Sequence, residues 1–182
     1  MSTRKLTLSA LFIALAAVLS ALETMLPPIV PIPGVRVGLG NAVTLFVLYA
    51  GGSWRGRDAL CILVLRCFCA ALITGSLMSA VYGLCGGVLA LLAMFGGKRF
   101  MTPKGSAISD QRYIPFVGVF GALAHITGQL FVAAAFYGGF SVFAYAPMLC
   151  VSAVVGGLFT GFCAKLVLAK ISPKILDYIR SA

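Results

Sequence analysis

Residues 114–136 read IPFVGVFGALAHITGQLFVAAAF and contain no charged side chain. A helix of about 20 apolar residues is long enough to cross the roughly 30 Å hydrocarbon core of a bilayer. The basic stretch from Lys98 to Arg112 precedes this segment, and Tyr137-Gly138-Gly139 follows it. The segment therefore predicts a membrane-spanning helix.

Similar apolar segments lie on both sides of it, and together they predict one all-α membrane domain over residues 1–182 with six spans. The predicted spans are 6–22, 37–50, 59–74, 77–95, 114–136 and 146–168. The first resembles a signal peptide, but its apolar stretch runs on to Leu22 and ends in Glu23 and a proline cluster, so we expect it to be retained. The second reaches only about 21 Å. Either it is a partial helix, or the proline-rich loop before it dips into the membrane.

Composition excludes a soluble globule, because 61% of the residues are hydrophobic and only 10% are charged. The net charge of +10 would suggest nucleic acid in a soluble protein, but here the basic residues flank the apolar segments. With the N-terminus inside, twelve of the fourteen Lys and Arg residues fall on the cytoplasmic side. This asymmetry predicts a multi-pass protein of the cell membrane with both ends in the cytoplasm, and no nucleic-acid partner.

Two arginines do not fit this distribution. Arg36 lies in the predicted outer loop, and Arg66 lies near the middle of the third span. An arginine in the membrane interior marks a functional site or a structural ion pair. Glu23 is the one acid predicted on the same outer half, so either arginine is a candidate partner for it. The other interpretation is a positively charged site for an anionic or carbonyl-rich ligand.

Further polar residues point to the same outer half. Asn41 and Thr44 share a face of the second span, and His125 and Gln129 share a face of the fifth. Each pair has the alternative role of bonding neighbouring helices. Their convergence with the arginines predicts a substrate-binding pocket. Its predicted residues are Arg36, Asn41, Thr44, Arg66, His125 and Gln129.

Small residues recur at helical spacing in three spans. We expect internal packing for Gly83 and Gly87 in the fourth span, and for Ala153, Gly157 and Gly161 in the sixth. In the first span, Ala10, Ala14, Ala17 and Ala21 form one stripe. This stripe either packs internally or docks a partner membrane protein.

No motif for catalysis, metal or cofactor binding stands out. There is one histidine, and none of the six cysteines forms a Cys-x2-Cys pair, which argues against a zinc site. The chain lacks a nucleotide-binding Gly-x4-Gly-Lys-Ser/Thr motif. Asp58, Asp110 and Asp177 are too widely separated for an aspartate-rich magnesium site. We therefore expect no enzymatic activity.

Two segments resemble a known membrane family. Residues 33–45, PGVRVGLGNAVTL, and residues 121–130, GALAHITGQL, resemble signatures of the Gx transporter family, also labelled heptaprenyl diphosphate synthase component I. The second segment departs at positions 126 and 127, where an asparagine is expected directly after the histidine. The resemblance covers nearly the whole chain.

That family is similar to the S components of energy-coupling factor (ECF) transporters, which capture vitamins from outside. The resemblance implies a six-helix bundle, a small-molecule substrate, a coupling membrane subunit and two ATPases as partners. It also implies that Ala10 and Ala14 form the docking face and that Met25 to Pro33 form a lid. The alternatives are a non-catalytic accessory subunit in isoprenoid or quinone metabolism and a structural assembly subunit.

Overall fold

The computed structural model describes residues 2–25, 38–52, 54, 56–101 and 108–182, and its regular structure is helical throughout this part of the chain. The predicted all-α class is thus confirmed for the described residues. The α-helices are α1 (Thr3–Met25), α2 (Asn41–Ala50), α3 (Gly56–Thr74), α4 (Leu77–Met101), α5 (Ile114–Tyr137), α6 (Ala146–Lys170) and α7 (Pro173–Arg180). Short 3-10 segments, Ile108–Tyr113 and Phe140–Tyr145, precede α5 and α6.

Four helices are long and apolar enough to cross a membrane, namely α1, α4, α5 and α6. Large apolar side chains cover their outer faces; Leu11, Leu92 and Phe159 are each about 60% exposed. Such a surface suits lipid rather than water. The chain is therefore a membrane protein. The other two helices are not among these four, because α2 has only ten residues and α3 contains three charged residues, Arg57, Asp58 and Arg66.

The helices form an arc around α2. Along this arc α1 packs on α3, α3 on α4, α4 on α5 and α5 on α6, while α2 contacts all five. Eight of the ten α2 residues are buried. A central helix that needs no lipid contact does not have to span the full hydrocarbon core, which explains why α2 is short.

Glycines bring the long helices together, as the small-residue spacing predicts for spans four and six. A side chain on Gly157 would lie 2.6 Å from the Val119 backbone, and one on Gly161 would lie 2.5 Å from Pro115. On α4, a side chain on Gly87 would meet Leu63 of α3 at 3.0 Å. Close backbone approach of this kind is a common way for membrane helices to associate.

Three predicted features differ in the structure. The fourth helix does not end before Gly96-Gly97 but continues to Met101, because Gly97 packs against α5 and Lys98 bonds to α2. Helix α2 begins at Asn41, after a turn at residues 38–40, rather than at 37. The alanine stripe of α1 is not a uniform surface, since Ala10 and Ala14 are exposed whereas Ala17 is 2% exposed.

The two chain ends meet at one end of the bundle, called here the termini end. Ser2 Oγ donates to the Ala182 carbonyl at 2.9 Å. The turn between α2 and α3 lies at the same end, because Trp54 Nε1 donates to the Ile179 carbonyl and Arg180 Nε to the Ala50 carbonyl, both at 2.8 Å. Helix α7 thus fastens α2 to the C-terminus.

Candidate functional site

The polar site begins at the turn that leads into α2. The carboxylate oxygens of Glu23, near the end of α1, accept hydrogen bonds from the backbone N–H groups of Gly38 at 2.6 Å and Leu39 at 2.9 Å. The Gly38 carbonyl accepts from the Asn41 N–H at 2.9 Å. Glu23 is 7% exposed. It satisfies backbone donors at the start of a helix, where a negative charge is also electrostatically favourable.

Arg66 is the centre of the site. It lies on α3, is 3% exposed, and donates from Nη2 to Asn41 Oδ1 at 2.6 Å and from Nη1 to Ser20 Oγ at 3.2 Å. It also attracts Glu23 electrostatically. A buried guanidinium is tolerated only with such compensation. Arg66 therefore ties α3 to both α1 and α2.

Two glycines let the α2 turn approach these side chains. Gly38 has φ +89°, a conformation that other residues rarely adopt. Gly40 has an ordinary φ of −59°, but a side chain there would overlap Arg66 Nη1. These contacts explain the Gly-x-Gly-Asn sequence at residues 38–41. Gly38 provides the positive φ, Gly40 leaves room for Arg66, and Asn41 accepts a hydrogen bond from Arg66.

His125 and Gln129 form the α5 side of the site. Their side chains are 3% and 1% exposed, and the Gln129 amide nitrogen lies 2.9 Å from His125 Nε2. Gly86 of α4 leaves room for the ring, since a side chain there would lie 2.9 Å from His125 Nδ1.

These residues surround a cavity of about 30 Å³. Ten residues from α1, the α2 turn, α3, α4 and α5 line it: Ser20, Glu23, Gly38, Arg66, Cys67, Ala70, Ser79, Gly83, His125 and Gln129. A water molecule needs at least about 10–15 Å³, so the cavity holds about two waters or one small polar group. Sites for whole organic ligands are typically about 300–1,000 Å³.

Two buried donors of the site, Arg66 Nε and Asn41 Nδ2, have no hydrogen-bond partner among the described residues. Glu23 accepts from backbone, while Asn41 Oδ1 and Ser20 Oγ accept from Arg66. A buried donor left without an acceptor costs about 1–3 kcal/mol. The arrangement is complementary to a group that carries acceptor oxygens.

The sequence matches the family described as "Heptaprenyl diphosphate synthase component I" over residues 12–167. The chain belongs to this family. The match confirms the resemblance drawn from residues 33–45 and 121–130. No match was found among curated proteins or among solved structures.

In this member of the heptaprenyl diphosphate synthase component I family, the matched region contains the whole polar cluster, from Ser20 on α1 to Gln129 on α5. Ala10 and α7 lie outside it. The cluster is thus part of the region that defines the family, whereas the C-terminal fastening of α2 is not.

The predicted site residues fall into three groups. Arg66, His125 and Gln129 line the cavity, and Asn41 is bonded to Arg66. Thr44 is 1% exposed and lies one turn further along α2, but it does not line the cavity. Arg36, and all of the predicted lid beyond Met25, lie outside the described residues. The binding role of the whole set stays a prediction.

Other residues of the site were not predicted as binding residues. Ser20, Cys67, Ser79 and Gly83 line the cavity, and Glu23 was considered only as an ion-pair partner. Spacing carried a usable signal for Ser20, because it lies three positions before Glu23 on the same face of α1. Ser79 lies four positions before Gly83 on α4 in the same way. For Cys67 the only signal was its place next to Arg66.

Proposed function

We propose that this protein is the substrate-binding S component of an ECF-type importer, which captures a small vitamin-like or anionic organic molecule from outside the cell. The observation that supports this most is the buried cluster around Arg66, with its two donors that have no partner among the described residues. A bundle held by a purely structural ion pair would be expected to satisfy these donors internally. A ligand with acceptor oxygens satisfies them instead.

We propose six crossings with both ends in the cytoplasm of the cell membrane. Contact between Ser2 and Ala182 is what an even number of crossings requires. The turn between α2 and α3 lies at the same end. Helix α2 therefore runs towards the termini end and α3 runs away from it, which adds two crossings. The basic residues concentrate at this end, in agreement with the positive-inside rule.

We propose that a coupling membrane subunit docks on α1 and brings two ATPase subunits. Ala10 and Ala14 support this, because both lie on the exposed face of α1 where a second helix can approach closely. ATP hydrolysis then belongs to the partners. We propose no catalytic role for this chain; the Asp58 carboxylate, for example, is bonded to Lys5 at 2.8 Å.

Co-purification tests this function. The protein is expressed from its own chromosomal locus, so that the neighbouring genes are expressed as well. The proteins and small molecules that co-purify with it are identified by native mass spectrometry. We expect an ATPase-containing complex and a small organic ligand. Ala10→Leu combined with Ala14→Leu should abolish the complex but leave the ligand bound, and Leu11→Ala, an exposed neighbour, serves as the control. Absence of both ATPases and ligand contradicts the proposal.

A second function is favoured by the family description. An accessory membrane subunit for isoprenoid handling would suit the apolar groove of about 540 Å³ between α4 and α5, which Leu84, Val88, Phe131 and other apolar residues line. In this case the protein should co-purify with a prenyl diphosphate synthase activity rather than with ATPases. Co-purification with neither partner, and no ligand, would favour a structural assembly subunit.

A further inference from the structure

Helix α7 is too short to cross a membrane and lies across the termini end of the bundle. Its eight residues reach about 12 Å. The backbone leaves the helical conformation at Ile171 and Ser172, where ψ is 135° and 138°, so α7 does not continue the direction of α6. Just after α7, Ser181 Oγ accepts from Arg4 Nη1 at 3.4 Å. Helix α7 therefore runs from the end of α6, past the end of α2, to the start of α1.

Two apolar faces run along α7. Leu176 and Ile179 lie three positions apart and are 8% and 5% exposed, so they face the bundle. Ile175 and Tyr178 are also three positions apart, but they are 52% and 49% exposed. The remaining face is polar and exposed, with Lys174, Asp177 and Ser181. A short helix with an exposed apolar face beside a charged one is typical of helices that lie in the membrane interface.

The apolar outer surface of α6 ends close to the start of α7. Leu166 and Val167 are 43% and 51% exposed, and Lys170 ends the helix three positions later. The exposed apolar face of α7 thus lies where the apolar surface of the bundle gives way to basic residues. This border corresponds to the depth of the lipid headgroups, where tyrosine is favoured because its ring is apolar and its hydroxyl is polar.

The basic residues at the termini end divide into those that bond within the bundle and those that are exposed. Lys5 bonds to Asp58, and Lys98 and Arg180 donate to carbonyl groups at the end of α2. Five others are exposed, namely Arg4, Arg57, Arg99, Lys170 and Lys174. Asp58 and Asp177 are the acids whose side chains the structure describes at this end. The exposed surface of the termini end is therefore strongly basic.

Arg4 places a guanidinium group beside the exposed apolar face of α7. Its Cζ lies 4.4 Å from the centroid of the Tyr178 ring, which is a cation–π contact. One of its five N–H groups is directed to Ser181 Oγ. A planar guanidinium matches the oxygens of a phosphate group well. Arg4 therefore brings a phosphate-binding group to the border between the apolar and polar faces.

We propose that α7 lies in the membrane interface with Ile175 and Tyr178 among the lipids, and that the exposed basic residues around it bind the headgroups of anionic phospholipids. An acidic soluble protein would complement the same charge. Lipid is favoured because the apolar face of α7 borders the lipid-facing surface of α6. This surface takes no part in the polar cluster or in the proposed docking on α1, so the proposal goes beyond the proposed function.

Fluorescence quenching by brominated lipids tests this on the full chain in phospholipid vesicles. Tyr178→Trp places a tryptophan on the exposed face of α7. The wild-type chain gives the baseline, because its single tryptophan is the buried Trp54. We expect phosphatidylcholine brominated near the headgroup end of its chains to quench the added tryptophan more strongly than the same lipid brominated near the chain ends. Acrylamide in the water should quench it weakly.

Lipid selectivity is measured with brominated phosphatidylglycerol and brominated phosphatidylcholine, each diluted into unlabelled phosphatidylcholine. We expect phosphatidylglycerol to bind more than about fivefold more tightly, since one basic residue near an anionic surface contributes about this factor. Sodium chloride at about 1 M shortens the Debye length to about 3 Å and should largely remove the preference.

Two charge variants in the Tyr178→Trp chain should act in opposite directions. Arg4→Gln combined with Lys174→Gln should lower the preference to less than about twofold. Asp177→Asn removes an exposed negative charge from the same helix and should raise it. Damage to α7 would instead lower the preference in both. In chains that retain Tyr178, the emission of Trp54 checks that α7 stays docked, because Trp54 Nε1 donates to the Ile179 carbonyl.

Equal binding of the two lipids by the Tyr178→Trp chain overturns the proposal and would mean that the basic residues only orient the chain in the membrane. Strong quenching by acrylamide without quenching by brominated lipid also overturns it, and leaves an acidic soluble partner as the occupant of this surface. If Tyr178→Trp does not fold, native mass spectrometry of the wild-type chain with the same two lipids decides the preference. The importer proposal is tested separately, because these measurements involve neither its ligand nor its ATPases.

Discussion

At the residue scale, Gly38 and Gly40 lie two positions apart but require glycine for different reasons. Gly38 needs its positive φ of +89°, whereas Gly40 has a helical φ and needs only the absence of a side chain. The second requirement comes from Arg66 and Ser20, which belong to other helices. The site is thus sensitive to the addition of one methyl group.

Gly40→Ala should lower the thermal stability of the purified protein and its ligand binding together. The new methyl group would overlap Arg66 Nη1 and lie 2.5 Å from Ser20 Oγ, so the guanidinium must move. Overpacking of this kind costs about 1–3 kcal/mol. Gly96→Ala is the matched control, because that helical glycine has open space around it and alanine favours helix. Equal melting temperatures for the two variants would contradict the assignment.

Arg66→Met should destabilise the protein by about 3–5 kcal/mol, because it removes the buried guanidinium that donates to Asn41 and Ser20 and attracts Glu23. Glu23→Gln in the same chain should recover part of this loss. The measurement is thermal unfolding in detergent of both single variants and the double variant. Arg57→Met, on the exposed face of the same helix, should change stability by less than about 0.5 kcal/mol. Strictly additive effects would show that Arg66 and Glu23 are not coupled.

At the scale of elements, α2 is held at both ends by side chains of other helices. At its N-terminal end, Asn41 is bonded to Arg66 of α3. Glu23 of α1 accepts a hydrogen bond from Gly38 in the turn that precedes α2. At its C-terminal end, Lys98 Nζ donates to the Leu48 carbonyl at 2.5 Å and Arg180 donates to the Ala50 carbonyl. The last carbonyls of a helix lack internal partners and favour positive charge, so both contacts suit their places.

Lys98→Met should loosen the C-terminal turn of α2. The variant loses the bond to the Leu48 carbonyl and the cation–π contact with Tyr49, where Lys98 Nζ lies 4.9 Å from the ring centroid. We expect a loss of about 1.5 kcal/mol and faster hydrogen exchange over residues 47–52. Arg99→Met is the control, since Arg99 is the next residue after Lys98 and its side chain is exposed. Unchanged exchange in α2 would mean that Lys98 does not secure it.

At the scale of the whole molecule, the position of the turn between α2 and α3 relative to the membrane determines the number of crossings. The contacts of Trp54 and Arg180 put it at the termini end. A bundle with only four crossings would need this turn to remain on the opposite side from the chain ends. The depth of residues 51–55 therefore distinguishes six crossings from four.

Alkaline phosphatase fusions, which are active only outside the cytoplasm, should report this topology. We expect fusions after Gly75 and after Gly139 to be active, and fusions after Gly52 and after Lys104 to be inactive. The Gly139 and Lys104 fusions serve as controls, because they flank α5, which is long and apolar enough to cross a membrane. An active fusion after Gly52 would exclude the six-crossing topology.

The sequence by itself determined the membrane class and the long helices, because apolar length and the basic residues at helix ends are local properties of the chain. The family was also readable from residues 33–45 and 121–130. The same local signals placed Arg66, Asn41, His125 and Gln129 at polar positions inside apolar helices. The role of the glycines in spans four and six followed from their spacing.

Only the tertiary structure decided how these polar residues pair. The rotation and tilt of each helix direct Arg66 towards Asn41 and Ser20, and Glu23 towards the backbone of Gly38 and Leu39. The same geometry exposes Ala10 and Ala14 but buries Ala17. Spacing within one helix cannot determine contacts between helices, because a hydrogen bond depends on how two helices pack against each other. The lack of a partner for Arg66 Nε and Asn41 Nδ2 among the described residues is therefore a property of the assembled bundle.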